Sequence, residues 1–195
     1  MYPPQRFREI LRRLLDPAPR ESPSEEEVAA AVLIPVLAAA PELRLVFTKR
    51  TDTLSRHAGE ISFPGGLADH GEPPAATALR EAEEELGLKP SDVDLLGALP
   101  PVHTHVSGIL IVPFVGMLWR DPVFTPNAEE IDEVLEFSLR DLTSAGAERE
   151  FEYEGRRFHT FVYDMEGQVI WGATARILWS FIDLLKTAPL EPTEV

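Results

Sequence analysis

Glu81, Glu84 and Glu85 stand at positions i, i+3 and i+4 within the segment ATALREAEEELGL. If that segment is helical, the three carboxylates share one face. Like charges held so closely weaken a helix unless something cationic sits among them. Carboxylate oxygens are the ligands that hard divalent ions such as Mg²⁺ take. A metal held this way can bridge phosphate oxygens, offset charge in an in-line displacement and acidify an attacking water. The chemistry these residues fit is therefore metal-assisted attack at phosphorus. A solvated acidic face would have the same composition, so the flanks must decide between the two.

The flanks are ordered. Pro73 and Pro74 open a helix expected over residues 75–86, and Gly87 stands where a left-handed cap ends it. Arg80 lies four residues before Glu84 and can pair with Glu84 and with Glu72 of the entering loop, holding loop and carboxylates in register. Glu83 is out of phase and should face solvent. Gly66, five residues, Glu72, seven residues, then Arg80-Glu81-Ala82-Glu83-Glu84-Glu85-Leu86-Gly87-Leu88 resembles the signature of the Nudix hydrolases. Enzymes of that family hydrolyse a nucleoside diphosphate linked to some other group. The resemblance implies an α/β/α sandwich with a mixed β-sheet between helices. It implies Glu81, Glu84 and Glu85 as ligands of Mg²⁺ or Mn²⁺, and makes Glu81, Glu84 and Arg80 the catalytic candidates of the helix. Glu130 and Glu133, in the segment PNAEEIDEV, are candidates for a general base or further ligand from outside it. Glu81 is a base candidate too, since a carboxylate beside metal can hold water.

The substrate is read upstream. Residues 46–66, VFTKRTDTLSRHAGEISFPGG, resemble the motif of the coenzyme A pyrophosphatase branch. Thr48, Arg50, Gly59, Phe63, Pro64, Gly65 and Gly66 fall in register. Thr51 replaces a serine, and Ser55 stands where a second arginine is expected, with Arg56 one residue on. Residues 107–116 and 170–177 also have the look of that branch, so the resemblance covers roughly 28–186. It implies cleavage of CoA to 4′-phosphopantetheine and adenosine 3′,5′-bisphosphate. Arg50 and Arg56 suit a phosphate clamp, and His57 is placed to touch phosphate. Gly65 and Gly66 would allow close backbone approach, and Phe63 reads as core. The departure at Ser55 keeps open a Nudix hydrolase of another dinucleotide, such as NADH or ADP-ribose. A noncatalytic nucleotide sensor is a third reading, against which the intact glutamate set speaks.

The elements that must position these residues follow from periodicity. Residues 6–15 read as an amphipathic helix and 16–27 as an acidic, proline-rich linker. Residues 1–27 are thus set apart from a single domain over 28–195. Strands are expected over 28–39 and 43–50 as a hairpin, near 61–63, and over 93–99, 109–118 and 133–137. A further hairpin is expected from 157–163 and 169–171, and a last helix over 173–186. His103 and His105 read as loop or packing residues, and Ser107 as a weak nucleophile candidate. Irregular alternation of strand and helix favours a mixed sheet covered on both faces.

Composition sets the outer bounds. A net charge of −15 and a pI near 4.7 argue against nucleic-acid or anionic-membrane surfaces. An anionic small-molecule substrate remains compatible if metal and arginines reverse the field locally. The absence of cysteine excludes disulfides and thiol catalysis. No long apolar stretch suggests a signal peptide or membrane span, so a cytoplasmic location is the simplest expectation.

Overall fold

The computed structural model describes residues 3–19, 28–39, 42–51, 59–104, 108–153 and 156–188. Fifteen numbered elements follow in chain order. They are α1 (Pro4–Leu14), β1 (Val28–Leu37), β2 (Arg44–Arg50), β3 (Ile61–Ser62), β4 (Gly65–Leu67), α2 (Pro74–Leu86), β5 (Asp94–Ala98), β6 (Val102–Thr104) and β7 (Ile109–Leu118), then β8 (Ile131–Ser138), α3 (Leu139–Ala145), β9 (Gly146–Tyr153), β10 (Arg156–Met165), β11 (Gln168–Ile170) and α4 (Gly172–Lys186).

The centre is a parallel pair, β1 and β7, in register from Val28↔Ile109 to Leu37↔Leu118. Every other pairing is antiparallel. β1 pairs β4 at its start and β2 at its end, β2 carries β3 and β8, and β7 carries β5 and β6. The sheet is mixed, as its irregular alternation suggested. β1 tolerates Pro35 because of this split. Leu33 N–H bonds outward to Pro64 O at 2.9 Å. Two residues on, Pro35 faces the same side, between the stretches paired to β4 and to β2, so its missing donor breaks no ladder.

Alternation along β1 and β7 sorts the core into two layers. Ala31, Leu33, Leu37, Val112, Phe114 and Leu118 meet Ala78, Ala82 and Leu86 of α2. The small Ala78 and Ala82 let α2 lie close against the sheet. Ile34, Val36, Val115 and Met117 point the other way, to Phe7 and Leu11 of α1 and to Ile177, Leu178 and Phe181 of α4. Helices therefore cover both faces of the sheet.

α1 is tied to the sheet. Arg8 Nε and Arg12 Nη2 donate to Asp94 at 2.6 and 3.0 Å, and Trp119 Nε1 adds a third bond at 3.2 Å. Just past the helix, Asp16 and Ala98 exchange two backbone bonds of 3.0 and 2.8 Å.

Four elements were not expected from sequence: β4, β6, α3 and β9. β4 is Gly-Gly-Leu, with no intrinsic strand preference. It pairs because Gly65 can approach β1 where any Cβ would strike Ala31 O and Val32. α3 has an N-cap, Ser138, whose Oγ accepts from Asp141 N at 3.0 Å. β9 completes a three-stranded antiparallel sheet with β10 and β11. The β10–β11 turn falls at Glu166–Gly167, both with positive φ. Asp164 accepts there from Gly167 N at 2.9 Å. Residues 20–27 of the linker expected over 16–27, and the first hairpin's Pro41, lie outside the described residues.

Candidate active site

α2 runs from Pro74 to Leu86 and is closed by Gly87, whose φ of 67° is the left-handed cap expected there. A Cβ at Gly87 would also collide with Thr125 Oγ1. Two loop residues complete the end: Thr125 N–H donates to Leu86 O and Asn127 N–H to Glu85 O, both at 2.9 Å. The loop before β8 is thereby fastened to the glutamate helix, and it carries Glu130 with it.

Arg80 organises the carboxylates. Its Nε and Nη2 donate to the two oxygens of Glu72 at 2.9 and 3.0 Å, a bidentate fork. Nη1 donates to Glu81 at 2.8 Å and to Glu84 at 3.1 Å, and Nη2 also reaches Leu67 O at 3.1 Å. Glu72 further accepts from Thr77 Oγ1 at 2.8 Å and Asp69 N at 3.1 Å. These bonds, Arg80's first, lower Glu72 to about 2. Glu72, expected only as a partner of Arg80, is thus the hub of the entering loop.

The three glutamates differ sharply in setting. The Glu84 side chain is 58% exposed, Glu81 17% and Glu85 5%. Glu83 is exposed, as its phase required. Glu85 reaches under the sheet edge: Gly65 N–H donates to it at 3.2 Å, and Arg50 Nη1 stands 4.0 Å away. Burial pushes Glu85 up to about 8, against the pull of the Gly65 bond and with Glu81 adding repulsion. Burial also raises Glu81, while Arg80 opposes the shift. Charge on Glu130 raises both.

Arg50 reaches Glu85 because of strand parity. Val46, Thr48 and Arg50 share the α2 face of β2. Arg50 Nε is buried, with no hydrogen-bond partner among the described residues. Gly66 is placed equally tightly, since a Cβ there would fall 2.5 Å from the Glu81 carboxyl carbon. Phe63 is core, 2% exposed and stacked on Phe47 at a centroid distance of 4.5 Å.

The sequence candidates thus divide. Glu81, Glu84, Glu85, Arg80, Arg50, Gly65, Gly66 and Glu130 come together. Glu133 does not. Regular pairing puts Glu133 opposite Lys49, two residues along β8 from the Leu135 that packs with Phe47 on the α4 side; the ladder becomes irregular only beyond it, between Lys49 and Arg50. Glu133 is exposed, on the face away from α2. His103 is exposed on β6, and its carbonyl accepts from Arg176 Nη1 at 3.0 Å. Arg56, His57, His105 and Ser107 lie outside the described residues.

Among the described residues, no three carboxylates or histidines converge closely enough to hold a metal as the side chains stand. Arg80 draws Glu81 and Glu84 together, while Glu85 turns to Gly65. The donor set nevertheless fits a hard divalent ion: oxygen ligands only, on one helix face, with Glu81 held in a cradle that admits no Cβ at Gly66.

Comparison with known proteins agrees with this arrangement. The NUDIX domain model matches residues 27–160, more than half of the chain. Nudix hydrolase 22, chloroplastic, of Arabidopsis thaliana is 43% identical over 147 residues, covering 70% of this chain and 48% of that protein. The uncharacterized Nudix hydrolase NudL of Pectobacterium atrosepticum is 35% identical over 172 residues, covering 87% and 88%. The chain thus spans about half the length of the plant relative. RenU, a Nudix hydrolase from M. smegmatis, superposes with a TM-score of 0.58 at 15% identity, covering 85% of this chain and 90% of that one, a likeness of fold. A two-layered core around a mixed sheet, with an Arg80-bridged glutamate helix at its edge, defines a Nudix-type hydrolase scaffold. The chain belongs to the Nudix family. No helix among the described residues is long and apolar enough to cross a membrane.

Proposed function

We propose that this protein is a metal-dependent pyrophosphohydrolase that cleaves the diphosphate of coenzyme A or a CoA derivative. The observation that carries this reading is the meeting of Arg50 with Glu85, 4.0 Å apart, at the end of α2 where Gly65 comes closest to the helix. Arg50 and Gly65, both of the substrate-type motif, thereby adjoin the glutamate helix. Glu81, Glu84 and Glu85 would hold Mg²⁺ or Mn²⁺. The bound ion would supply Lewis-acid stabilisation of the diphosphate and an acidified water.

The residues of the chain divide the remaining work. Arg50, whose side chain is partly exposed beside Glu85, offers its guanidinium to a diphosphate oxygen, supplying positive charge that the acidic helix lacks. Arg80, locked by Glu72, orients Glu81 and Glu84. Glu81 and Glu130 are the candidates to accept the proton of the attacking water. Glu81 sits beside the proposed metal position, where a carboxylate can hold and deprotonate a water.

Turnover of CoA, ADP-ribose and NADH, each with Mg²⁺ and with Mn²⁺, tests the proposal. Release of 4′-phosphopantetheine and adenosine 3′,5′-bisphosphate from CoA is expected. Strong turnover of ADP-ribose with none of CoA would overturn it. The second reading, a hydrolase of another dinucleotide, draws on Ser55 standing where the CoA-type motif has arginine.

A further inference from the structure

Beside Arg50 and Gly65, a cavity of about 190 Å³ opens between the sheet edge and the first turn of α4. Its aliphatic and aromatic walls are Val32, Phe63, Ile111 and Ile177; Glu60, Ser62, Ala173 and Thr174 complete it. The cavity is smaller than the roughly 300–1,000 Å³ of pockets that enclose a small molecule whole. It is open on one side, and can take the diphosphate-proximal part of one arm of a substrate whose diphosphate lies across Arg50. A larger cavity of about 380 Å³ lies elsewhere, between the ends of α1 and α4, and borders none of the clustered glutamates.

We infer that this chamber receives the uncharged, amide-bearing arm of the substrate and leaves the nucleotide arm outside. The inference rests on the proposed CoA reading, in which that arm is pantetheine. Three features select it. The walls are largely apolar, which suits methylene and gem-dimethyl groups. The first-turn N–H groups of α4, at positions 172–174, have no partner within the helix and suit amide carbonyls. The nucleotide arm carries a further phosphate, and the chamber sets Glu60 against it. Among the described residues its one cation is Arg50, which is shared with Glu85 and with the diphosphate. Phe63 already stacks on Phe47, so it has less open face for a purine.

Ala173 and Thr174 are half-buried at the chamber wall, so enlarging either fills space without cutting into the core. Affinities of 4′-phosphopantetheine and adenosine 3′,5′-bisphosphate are measured calorimetrically on the full chain, on A173F and, in case that variant misfolds, on T174F. Thermal melting verifies the fold of each. The expected result is a shift of at least tenfold in the ratio of the two affinities, against phosphopantetheine. The KM for CoA should rise in parallel, with kcat less affected. A shift against the bisphosphate, or no shift in a folded variant, overturns the assignment. If CoA is not hydrolysed but phosphopantetheine binds and is lost in A173F, the chamber stands and the proposed reaction falls. If CoA is hydrolysed with a KM indifferent to both variants, the reverse holds.

Discussion

Three glutamates on one helix face have three different surroundings, and substitution should separate them. Glu84→Gln and Glu85→Gln each remove a proposed ligand oxygen, and a loss on the order of a thousandfold in kcat is expected. Because Glu85 is buried and aimed at Gly65, its variant should also alter stability, whereas the exposed Glu84 variant should melt like the parent. Gly66→Ala tests positioning alone. Its Cβ would sit 2.5 Å from the Glu81 carboxyl carbon, so that side chain must move. A shift of about 1 Å costs on the order of a hundredfold in rate, measurable under saturating substrate. Glu72 offers a pH reading. Its carboxyl is lowered from 4.5 to about 2 by Arg80. It therefore contributes stability that is present above about pH 4.5 and lost as the pH falls towards about 2. In Arg80→Gln, the Glu72 carboxyl followed by NMR should titrate close to the ordinary glutamate value. A midpoint still near 2 would show that Thr77 and Asp69 suffice.

At the scale of elements, two fastenings matter. α2 is closed by Gly87 and the Thr125 loop, and Gly87→Ala forces a left-handed Cβ into the Thr125 hydroxyl. A loss of about 1–3 kcal/mol in urea denaturation is expected, together with reduced activity because the same loop carries Glu130. α1 is fastened through Asp94. Burial alone would raise its carboxyl, but hydrogen bonds from Arg8 and Trp119 and the charge of Arg12 bring it below the ordinary aspartate value. Its contribution is present above that ordinary value and lost as the pH falls through the lowered one. Asp94→Asn should cost about 1–2 kcal/mol at neutral pH, and the difference from the parent should shrink in acid. Equal stability at neutral pH would make the α1 contact decorative.

For the whole molecule, the core joins segments far apart in the chain. Phe7, Leu11 and Leu15 are buried against strands that start at Val28 and later. Each contributes roughly 1.5–3 kcal/mol, a large share of the about 5–15 kcal/mol that holds a typical domain. A chain begun at Val28 should therefore unfold at much lower urea than the full chain. The same long-range packing decides what could be read beforehand. Glu81, Glu84 and Glu85 were legible because helical spacing is local, and so were the Gly87 cap and the Arg80–Glu72 pair. The Arg50–Glu85 approach was not, because it depends on strand parity and on β4 lying beside β1. Nor was the face that Glu133 takes, because it follows from a tertiary register, the pairing of Glu133 with Lys49. β4 and β9 escaped notice because glycine pairs and alternating charges carry no apolar period, whereas α3 could have been found from Ser138 and Asp141.

The parallel seam between β1 and β7 has a kinetic consequence. Val28 must find Ile109, and the chain between them includes the whole glutamate helix. Such a closure is slow, because the entropy of a long loop is lost before its contacts form. The β9–β10–β11 meander closes only short turns and should gain amide protection first. Diluted from denaturant, the protein should recover hydrolytic activity in the same phase as protection of β1 and β7, with no earlier active species. The competence of the site is then a late event in the life of the chain, timed by the joining of two strands that carry none of its glutamates.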